Sequence, residues 1–221
     1  MSKSIAIIET SAVSSAELKA LCRDMMPEVT VYEIIDSSLI EEVKANGGPT
    51  KAVRSRMFKY YEIAAGLGVD AILNQCSSVS EVAEEAKKLI DVPIVKVDEA
   101  MARKAVSMGE KIAVVATVAS TLPPSCRLVE SMAAEAGKEI DLREYLVDGA
   151  MALLIATGDV EKHNAMVIGT IEKAAAENDV VVLAQGSMTV IEPLLKGIEK
   201  PVLTSPRLGV EYLKKVVYNE K

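Results

Sequence analysis

Aromatic residues, histidine and cysteine are scarce in this sequence. The 221 residues include no tryptophan, one phenylalanine and six tyrosines, so no aromatic platform for a ligand is evident and we expect an aliphatic substrate. One histidine and three cysteines without a CxxC pair do not complete a zinc site, and an odd number of cysteines argues against a disulfide framework. We therefore expect neither a metal nor a disulfide.

The sequence also lacks an excess of basic residues, and it lacks long apolar runs. The formal net charge is -7, with acidic and basic residues interspersed, which disfavours binding to nucleic acids or anionic membranes. No apolar run reaches the roughly 18 residues of a membrane-spanning helix, and the first residues lack the apolar segment of a secretory signal. No GxGxxG or P-loop motif follows a predicted strand. We expect a cytoplasmic protein whose partner is a small molecule, not nucleic acid or membrane.

The sequence contains an internal duplication. The segment IAIIET at 5–10 is repeated as IAVVAT at 112–117, and DAILNQC at 70–76 is repeated as DVVVLAQ at 179–185. The order of the two pairs is preserved, as expected when one supersecondary unit occurs twice.

Each half is predicted to be an α/β lobe. Short β-branched runs alternate with amphipathic segments, and the apolar runs are nearly continuous, as in a parallel sheet that is buried on both faces. We predict two pseudo-symmetric lobes, 1–107 and 108–221, each a four-stranded, mostly parallel sheet flanked by helices, with the active site in the inter-lobe cleft. The C-terminal helix is free to cross to the other lobe. The predicted strands are 4–9, 29–35, 70–75, 93–97, 111–116, 139–146, 179–184 and 201–204.

Several helices are predicted to begin directly after strands, with a Ser or Thr followed three residues later by Glu, the capping-box pattern. The unpaired N–H groups and partial positive charge of a helix N-terminus suit a small anion such as a carboxylate, although a cap also serves helix stability alone. Thr121, followed by Pro123 and Pro124, marks a further helix start. The capping-box pairs are Ser14 with Glu17, Ser78 with Glu81, and Thr189 with Glu192.

Cys76 is the strongest candidate for a reactive residue. It lies in the turn between a buried strand and a helix, where α/β proteins bind ligands and where the helix dipole favours the thiolate form. The alternative is a small buried apolar residue, the common fate of a free cysteine; Cys22 and Cys126 fall within helical patterns and are interpreted in that way. The neighbours of Cys76 are polar: Asn74, Gln75, Ser77 and Ser78.

Duplicated α/β lobes, a strand-end cysteine in the first half and a loop with Thr117 and Thr121 opening the second resemble the aspartate/glutamate/hydantoin racemase superfamily. The resemblance covers essentially the whole chain. It implies a cofactor-independent enzyme, a homo-oligomer, and two cysteines on opposite sides of a substrate carbon, one removing a proton and the other returning it. On this sequence Cys76 matches the first cysteine, and Thr10, Ser11, Thr117 and Thr121 match loops that bind substrate oxygens.

The sequence departs from the family at the second cysteine, since none occurs in the segment 182–189. Alignment of the strands puts Gln185 at that position. Alignment of the glutamine that occurs in both halves puts Gly186 there, and alignment of the capping boxes puts Ser187 there. A serine hydroxyl or a glycine does not replace a thiol as an acid–base group near neutral pH. The superfamily also has one-cysteine members, which are arylmalonate decarboxylase-like and maleate isomerase-like.

Our hypothesis is an isomerase or racemase-family enzyme that acts by cysteine-mediated proton transfer on a small carboxylate or carbonyl compound. A one-cysteine decarboxylase or lyase, or a non-catalytic small-anion binding protein, are the alternatives. Cys76 and Ser187 are the predicted catalytic residues. The predicted substrate-binding residues are Thr10, Ser11, Asn74, Ser77, Ser78, Thr117, Thr121, Gln185 and Gly186.

Other polar residues have simpler interpretations. His163, at the start of a polar helical turn, is expected on the surface, and Asp98 and Ser205 are expected to cap helices. Arg54 and Arg56 could reach a second carboxylate or a phosphate of the substrate, but a solvated helix face explains them equally well.

Overall fold

The computed structural model describes residues 3–220, which fall into two units. The first contains Met1–Ala100 with Pro206–Lys221, and the second contains Met101–Ser205. The sequence predicted a boundary between residues 107 and 108. In the structure the second unit begins at Met101, and the C-terminal segment belongs to the first unit.

The described residues form two four-stranded sheets in which every pairing is parallel. The strands are β1 Ser4–Glu9, β2 Thr30–Ile35, β3 Ala71–Asn74, β4 Ile94–Lys96, β5 Lys111–Ala116, β6 Asp141–Leu146, β7 Val180–Leu183 and β8 Val202–Leu203. The α-helices are α1 Ser15–Met25, α2 Ser38–Asn46, α3 Lys51–Gly66, α4 Ser80–Ala86, α5 Glu99–Met108, α6 Leu122–Glu135, α7 Ala150–Thr157, α8 Val160–Glu177 and α9 Ser205–Tyr218. Short 3-10 helices span Ser77–Val79, Ala119–Thr121 and Gly186–Leu194.

The central strand of the first unit is buried on both faces. Ile5 and Ile7 pack in a core with residues of α1 and α9, whereas Ala6 and Ile8 pack in a second core with residues of α3 and α4. Because alternate side chains point to opposite faces, a strand covered on both sides must be apolar at nearly every position. This requirement explains why the apolar runs predicted the strands.

The two sheets have the same topology. Their strand orders are β2-β1-β3-β4 and β6-β5-β7-β8. Ile5 of β1 is in register with Ala71 of β3, and the equivalent Ile112 of β5 is in register with Val180 of β7. The structure therefore confirms the fold class that the internal repeat predicted.

Helix α9 approaches the first sheet so closely that a glycine is required. A Cβ atom at Gly209 would lie 2.4 Å from the carbonyl oxygen of Val97. We expect Gly209→Ala to lower the free energy of unfolding by about 1–3 kcal/mol, measured by urea denaturation, because the backbone must shift. Gly169→Ala is the matched control: its Cβ meets nothing within 4 Å in helix α8, so this variant should be as stable as the wild type or more so. Equal stabilities of the two variants would contradict the close packing.

Candidate active site

The strand order places two loops side by side at the carboxyl edge of the first sheet. Strand β1 lies between β2 and β3 in the sheet. The chain therefore leaves β1 toward one side to form β2 and returns to its other side to form β3. Ligands of parallel sheets bind at such a switch point, beyond the carboxyl ends of the adjacent strands. Thr10 follows β1 here, and Gln75 and Cys76 follow β3.

Cys76 is held in place by a buried polar chain. Its backbone is extended, with φ -108 and ψ 121, and it begins the 3-10 helix Ser77–Val79. The side-chain amide of Asn74 donates to the Cys76 carbonyl oxygen at 3.0 Å, and the Tyr61 hydroxyl donates to Asn74 Oδ1 at 2.9 Å. Tyr61 is fully buried, and this burial raises its pKa, so the phenol remains a donor. Asn74, a predicted substrate-binding residue, is 1% exposed and supports the loop in this structure.

The three cysteines have different environments. Cys76 is half-buried, whereas Cys22 and Cys126 are 0% and 6% exposed. Burial raises the pKa of the Cys22 thiol to about 12, and burial together with a hydrogen bond to Glu144 raises that of Cys126 to about 12. The interpretation of Cys22 and Cys126 as packing residues is therefore confirmed.

The residues that surround Cys76 reach to neighbouring strands and helices. Gln75 donates its backbone N–H to the carbonyl oxygen of Ile8 and its side-chain amide to Ser14 Oγ, at 3.0 and 2.5 Å. Ser77 is half-buried. Burial raises the pKa of Asp98, which follows β4, and a hydrogen bond with Ser77 opposes this shift. Ser78 is 9% exposed.

Glu9, at the end of β1, is a buried carboxyl group that the sequence analysis overlooked. It is fully buried, and its Oε1 accepts a hydrogen bond of 2.7 Å from the Ser15 hydroxyl. Burial raises the pKa of Glu9 above its ordinary value, although the bond from Ser15 opposes the shift. Its position in an apolar strand motif, IAIIE, was the available signal.

The raised pKa of Glu9 predicts a pH effect on stability. The protonated carboxyl is favoured in the folded state, so its stabilisation is complete below the ordinary pKa of 4.5 and is lost as pH rises through the folded pKa. Relative to Glu9→Gln, the wild type should therefore lose unfolding free energy between pH 4.5 and neutral pH. Urea denaturation at both pH values measures this, with the exposed Glu28→Gln as control. A wild type that gains stability relative to Glu9→Gln over this interval would refute the assignment.

The carboxyl edge of the second sheet has the equivalent loops after β5 and β7. Thr117 donates its backbone N–H and its hydroxyl to Gln185 Oε1, at 2.7 and 3.0 Å. Gln185 begins the 3-10 helix Gly186–Leu194 with φ -125 and ψ 130, close to the conformation of Cys76. The equivalent registers of the two sheets therefore place Gln185 at the position of Cys76.

The capping boxes are not formed as predicted. Ser14 accepts from Gln75, helix α4 begins at Ser80 instead of after Ser78, and the Thr189 hydroxyl donates to the Gly186 carbonyl oxygen. Tertiary partners and a turn of 3-10 helix have replaced the local bonds. The offset that selected Ser187 consequently loses its basis, and Ser187 is exposed.

Helix starts that follow the central strands lack side-chain caps. Neither Ser14 at α1 nor Thr121 at α6 makes a side-chain hydrogen bond to its helix, whereas Thr50 caps α3 and Asp159 caps α8. At α1 the uncapped N–H groups remain available to an anion. At α6 few are available, because Pro123 and Pro124 carry no N–H and Leu122 donates its N–H to the Ala119 carbonyl oxygen. Thr10, Thr117 and Thr121 are 2%, 7% and 7% exposed at these edges, and Ser11 Oγ accepts from Val13 N at 3.2 Å.

Two minor interpretations are resolved by the structure. His163 is 9% exposed, so the expectation of a surface histidine was wrong; helix α8 turns it toward the protein. Arg56 forms ion pairs with Asp36 and Glu42, while Arg54 pairs with Glu81 and Glu85. Both arginines thus connect elements of the first unit.

Comparison with protein families matches residues 5–213 to Asp/Glu/Hydantoin racemase. The chain belongs to the Asp/Glu/Hydantoin racemase family. A search among curated proteins found no match. As a member of this family, the chain is an enzyme of the racemase and isomerase type.

Solved structures of racemases share the fold. A glutamate racemase isoform of Bacillus anthracis is 16% identical with a TM-score of 0.75, over 99% of this chain and 82% of that chain. The aspartate racemase of Picrophilus torridus is 14% identical with a TM-score of 0.73, over 98% and 94%. The allantoin racemase of Klebsiella pneumoniae is 17% identical with a TM-score of 0.69, over 99% and 89%.

Within residues 3–220, no three His, Cys, Asp or Glu side chains come together as a metal site. The helices of this same range are all too short or too polar to cross a membrane. The homo-oligomer that the resemblance implies stays a prediction.

Proposed function

We propose that this racemase-family member is a cofactor-independent isomerase in which Cys76 moves a proton to and from a carbon next to a carboxylate or carbonyl group. The position of Cys76 carries the proposal: it is half-buried at the switch point of the first sheet, while Cys22 and Cys126 are buried. A catalytic thiolate needs access to its substrate. Cys22 and Cys126, whose thiols have a pKa raised to about 12, remain protonated near neutral pH.

The chemistry requires a place for the negative charge that develops. When the Cys76 thiolate removes the proton, the C–H electron pair moves onto the carboxylate or carbonyl oxygens and forms an enediolate-like anion. Donors directed at those oxygens stabilise this anion more than they stabilise the substrate. The uncapped N–H groups at the start of α1, with the hydroxyls of Thr10 and Ser78, are the donors that we assign to this role.

Gln185 favours single-thiol chemistry. A neutral amide does not exchange a proton with carbon near neutral pH, and the Gln185 oxygen already accepts two hydrogen bonds from Thr117. We therefore expect Cys76 to remove and return the proton on one face, so that exchange with solvent is faster than racemisation. The same arrangement favours a second candidate function, a decarboxylase in which Cys76 protonates the anion left by loss of carbon dioxide.

Deuterium incorporation from D2O tests the proposal. Glutamate, aspartate and allantoin, named for the solved relatives, are incubated with the enzyme together with small hydroxy acids and malonates, and followed by proton NMR. Exchange that depends on Cys76 supports proton transfer by this thiol, and inversion that accompanies the exchange supports an isomerase. Loss of carbon dioxide from a malonate supports the decarboxylase. Exchange that survives unchanged in Cys76→Ala would refute the role of Cys76.

A further inference from the structure

Tyr61 of helix α3 and Asn74 of strand β3 form a buried hydrogen-bonded pair next to Cys76. Tyr61 is 0% exposed and Asn74 is 1% exposed, so a small molecule reaches neither side chain. The half-buried Cys76 packs against the same apolar core as Tyr61. The Tyr61 hydroxyl binds one end of the Asn74 amide, Oδ1, and the other end, Nδ2, donates to the Cys76 carbonyl oxygen.

The second unit provides an internal comparison, since it repeats the same helix and strand. The strand registers make Leu183 equivalent to Asn74, and the buried positions of α3 recur with the same spacing in α8. Ile171 is thereby equivalent to Tyr61, and Ile171 and Leu183 are fully buried in one apolar core. The recurring positions are Val53, Met57 and Tyr61 in α3 and His163, Val167 and Ile171 in α8.

An apolar pair therefore supports the equivalent turn in the unit where glutamine replaces the cysteine. Gln185 has backbone dihedrals close to those of Cys76. Its carbonyl oxygen accepts from Met188 N at 2.9 Å, as the Cys76 carbonyl oxygen accepts from Val79 N at 3.3 Å. The turn thus forms without a side-chain amide like that of Asn74. Since apolar groups of the same shape can replace a buried hydrogen-bonded pair at little cost in stability, the fold alone does not require the polar pair.

We propose that Tyr61 and Asn74 are positioning residues for Cys76, which fix the peptide group beside the thiol by donation from the Asn74 amide to the Cys76 carbonyl oxygen. The amide has one orientation, because a reversed amide would place Oδ1 against the carbonyl oxygen, and both atoms are acceptors. A fixed thiol spends more of its time in the geometry of proton transfer. This inference rests on the proposed function of Cys76. It gives Asn74 an indirect role in place of the substrate contact predicted from sequence.

Nearly isosteric substitutions separate positioning from stability. Asn74→Leu keeps the branched shape of the side chain, and Tyr61→Phe removes one oxygen atom. Each single variant leaves a buried polar group without its partner, so it should unfold at a lower urea concentration than the wild type. The double variant has neither polar group, and its urea midpoint should return toward that of the wild type. Tyr145→Phe is the matched control, because its hydroxyl accepts from Asn178 in the second unit.

Amide hydrogen exchange measures the loop without a substrate. The Val79 N–H, which donates to the Cys76 carbonyl oxygen, reports on the turn directly in NMR spectra. Because the loop loses one hydrogen bond, exchange at Val79 should be about threefold to tenfold faster in the double variant than in the wild type. Exchange in strand β1 should stay unchanged, and Tyr145→Phe should leave Val79 unchanged.

The kinetics of deuterium incorporation into an exchanging substrate measure the consequence at the thiol. In the double variant we expect kcat to fall about threefold to tenfold with KM unchanged, because the pair contacts no substrate. A raised KM with kcat unchanged would instead assign Asn74 to substrate binding and overturn the inference. A kcat equal to that of the wild type, or an unchanged exchange rate at Val79, would also overturn it.

Failure of the proposed function is distinguishable from failure of this inference. In the first case the wild type incorporates no deuterium in a Cys76-dependent manner, while amide exchange at Val79 still decides whether the pair fixes the loop. If the double variant fails to fold, Tyr61→Phe alone must accelerate exchange at Val79, and an unchanged rate overturns the inference.

Discussion

Replacing Gln185 with cysteine is expected to raise the rate of racemisation relative to the rate of deuterium exchange. The substitution places a thiol at the position that the sheet registers make equivalent to Cys76, where the racemase resemblance implies the second proton carrier. Because a positioned general acid or base contributes about 10²–10⁴-fold, the rate of racemisation should rise by about 10²-fold. Polarimetry and proton NMR on one sample measure the two rates.

Ser187→Cys is the matched control for this gain. Ser187 is exposed and lies two residues beyond the equivalent position, so this thiol should leave racemisation unchanged. A gain in Ser187→Cys with none in Gln185→Cys would contradict the assignment. Thermal unfolding of Gln185→Cys must be compared with the wild type, because the variant loses the acceptor of the two Thr117 hydrogen bonds.

Cys76→Ser is expected to reduce the rate of exchange by about 10³-fold or more, because a serine hydroxyl has a far higher pKa than a thiol and supplies almost no base near neutral pH. The substitution changes one atom and leaves the backbone contacts of Asn74 in place. Cys126→Ala removes a buried thiol from helix α6 and should keep the exchange rate per folded molecule. Equal rates in Cys76→Ser and the wild type would exclude Cys76 as the proton carrier.

The strands were predictable from sequence because their burial leaves a strong pattern. All eight predicted strands are present among the described residues, with ends that shift by at most two positions, as at 139–146 against Asp141–Leu146. The inner strands such as β1 and β5 are buried on both faces, so their β-branched apolar runs cannot belong to a solvated strand. The edge strands β2 and β6 are partly exposed and contain polar residues. The duplicated motifs then predicted the two sheets of identical topology.

The contacts around Cys76 were not predictable, because they join residues that are distant in sequence. Gln75 binds Ser14, and Asn74 binds Tyr61 of helix α3, so both contacts join different elements of the first unit. Capping-box patterns describe only local bonds, and here tertiary partners have replaced them. The buried Glu9 was overlooked for the same reason, since its partner Ser15 comes from the first turn of α1.

The residue at the position of the family's second cysteine could be identified only from the register of the two sheets. Sequence alone left Gln185, Gly186 and Ser187 as alternatives, since each rested on a different local match. Ile8 pairs with Asn74 in the first sheet, and the equivalent Val115 pairs with Leu183 in the second. Asn74 and Leu183 are therefore equivalent, and Gln185, two residues further on, is equivalent to Cys76.

The most direct test of single-thiol proton transfer at Cys76 follows deuterium incorporation and optical rotation together, in one wild-type sample with an exchanging substrate in D2O. Deuterium that enters the substrate well before the optical rotation decays is the predicted result, because one thiol removes and returns the proton on the same face. Exchange and loss of optical rotation at equal rates from the start would contradict it, and would require a second proton carrier besides Cys76.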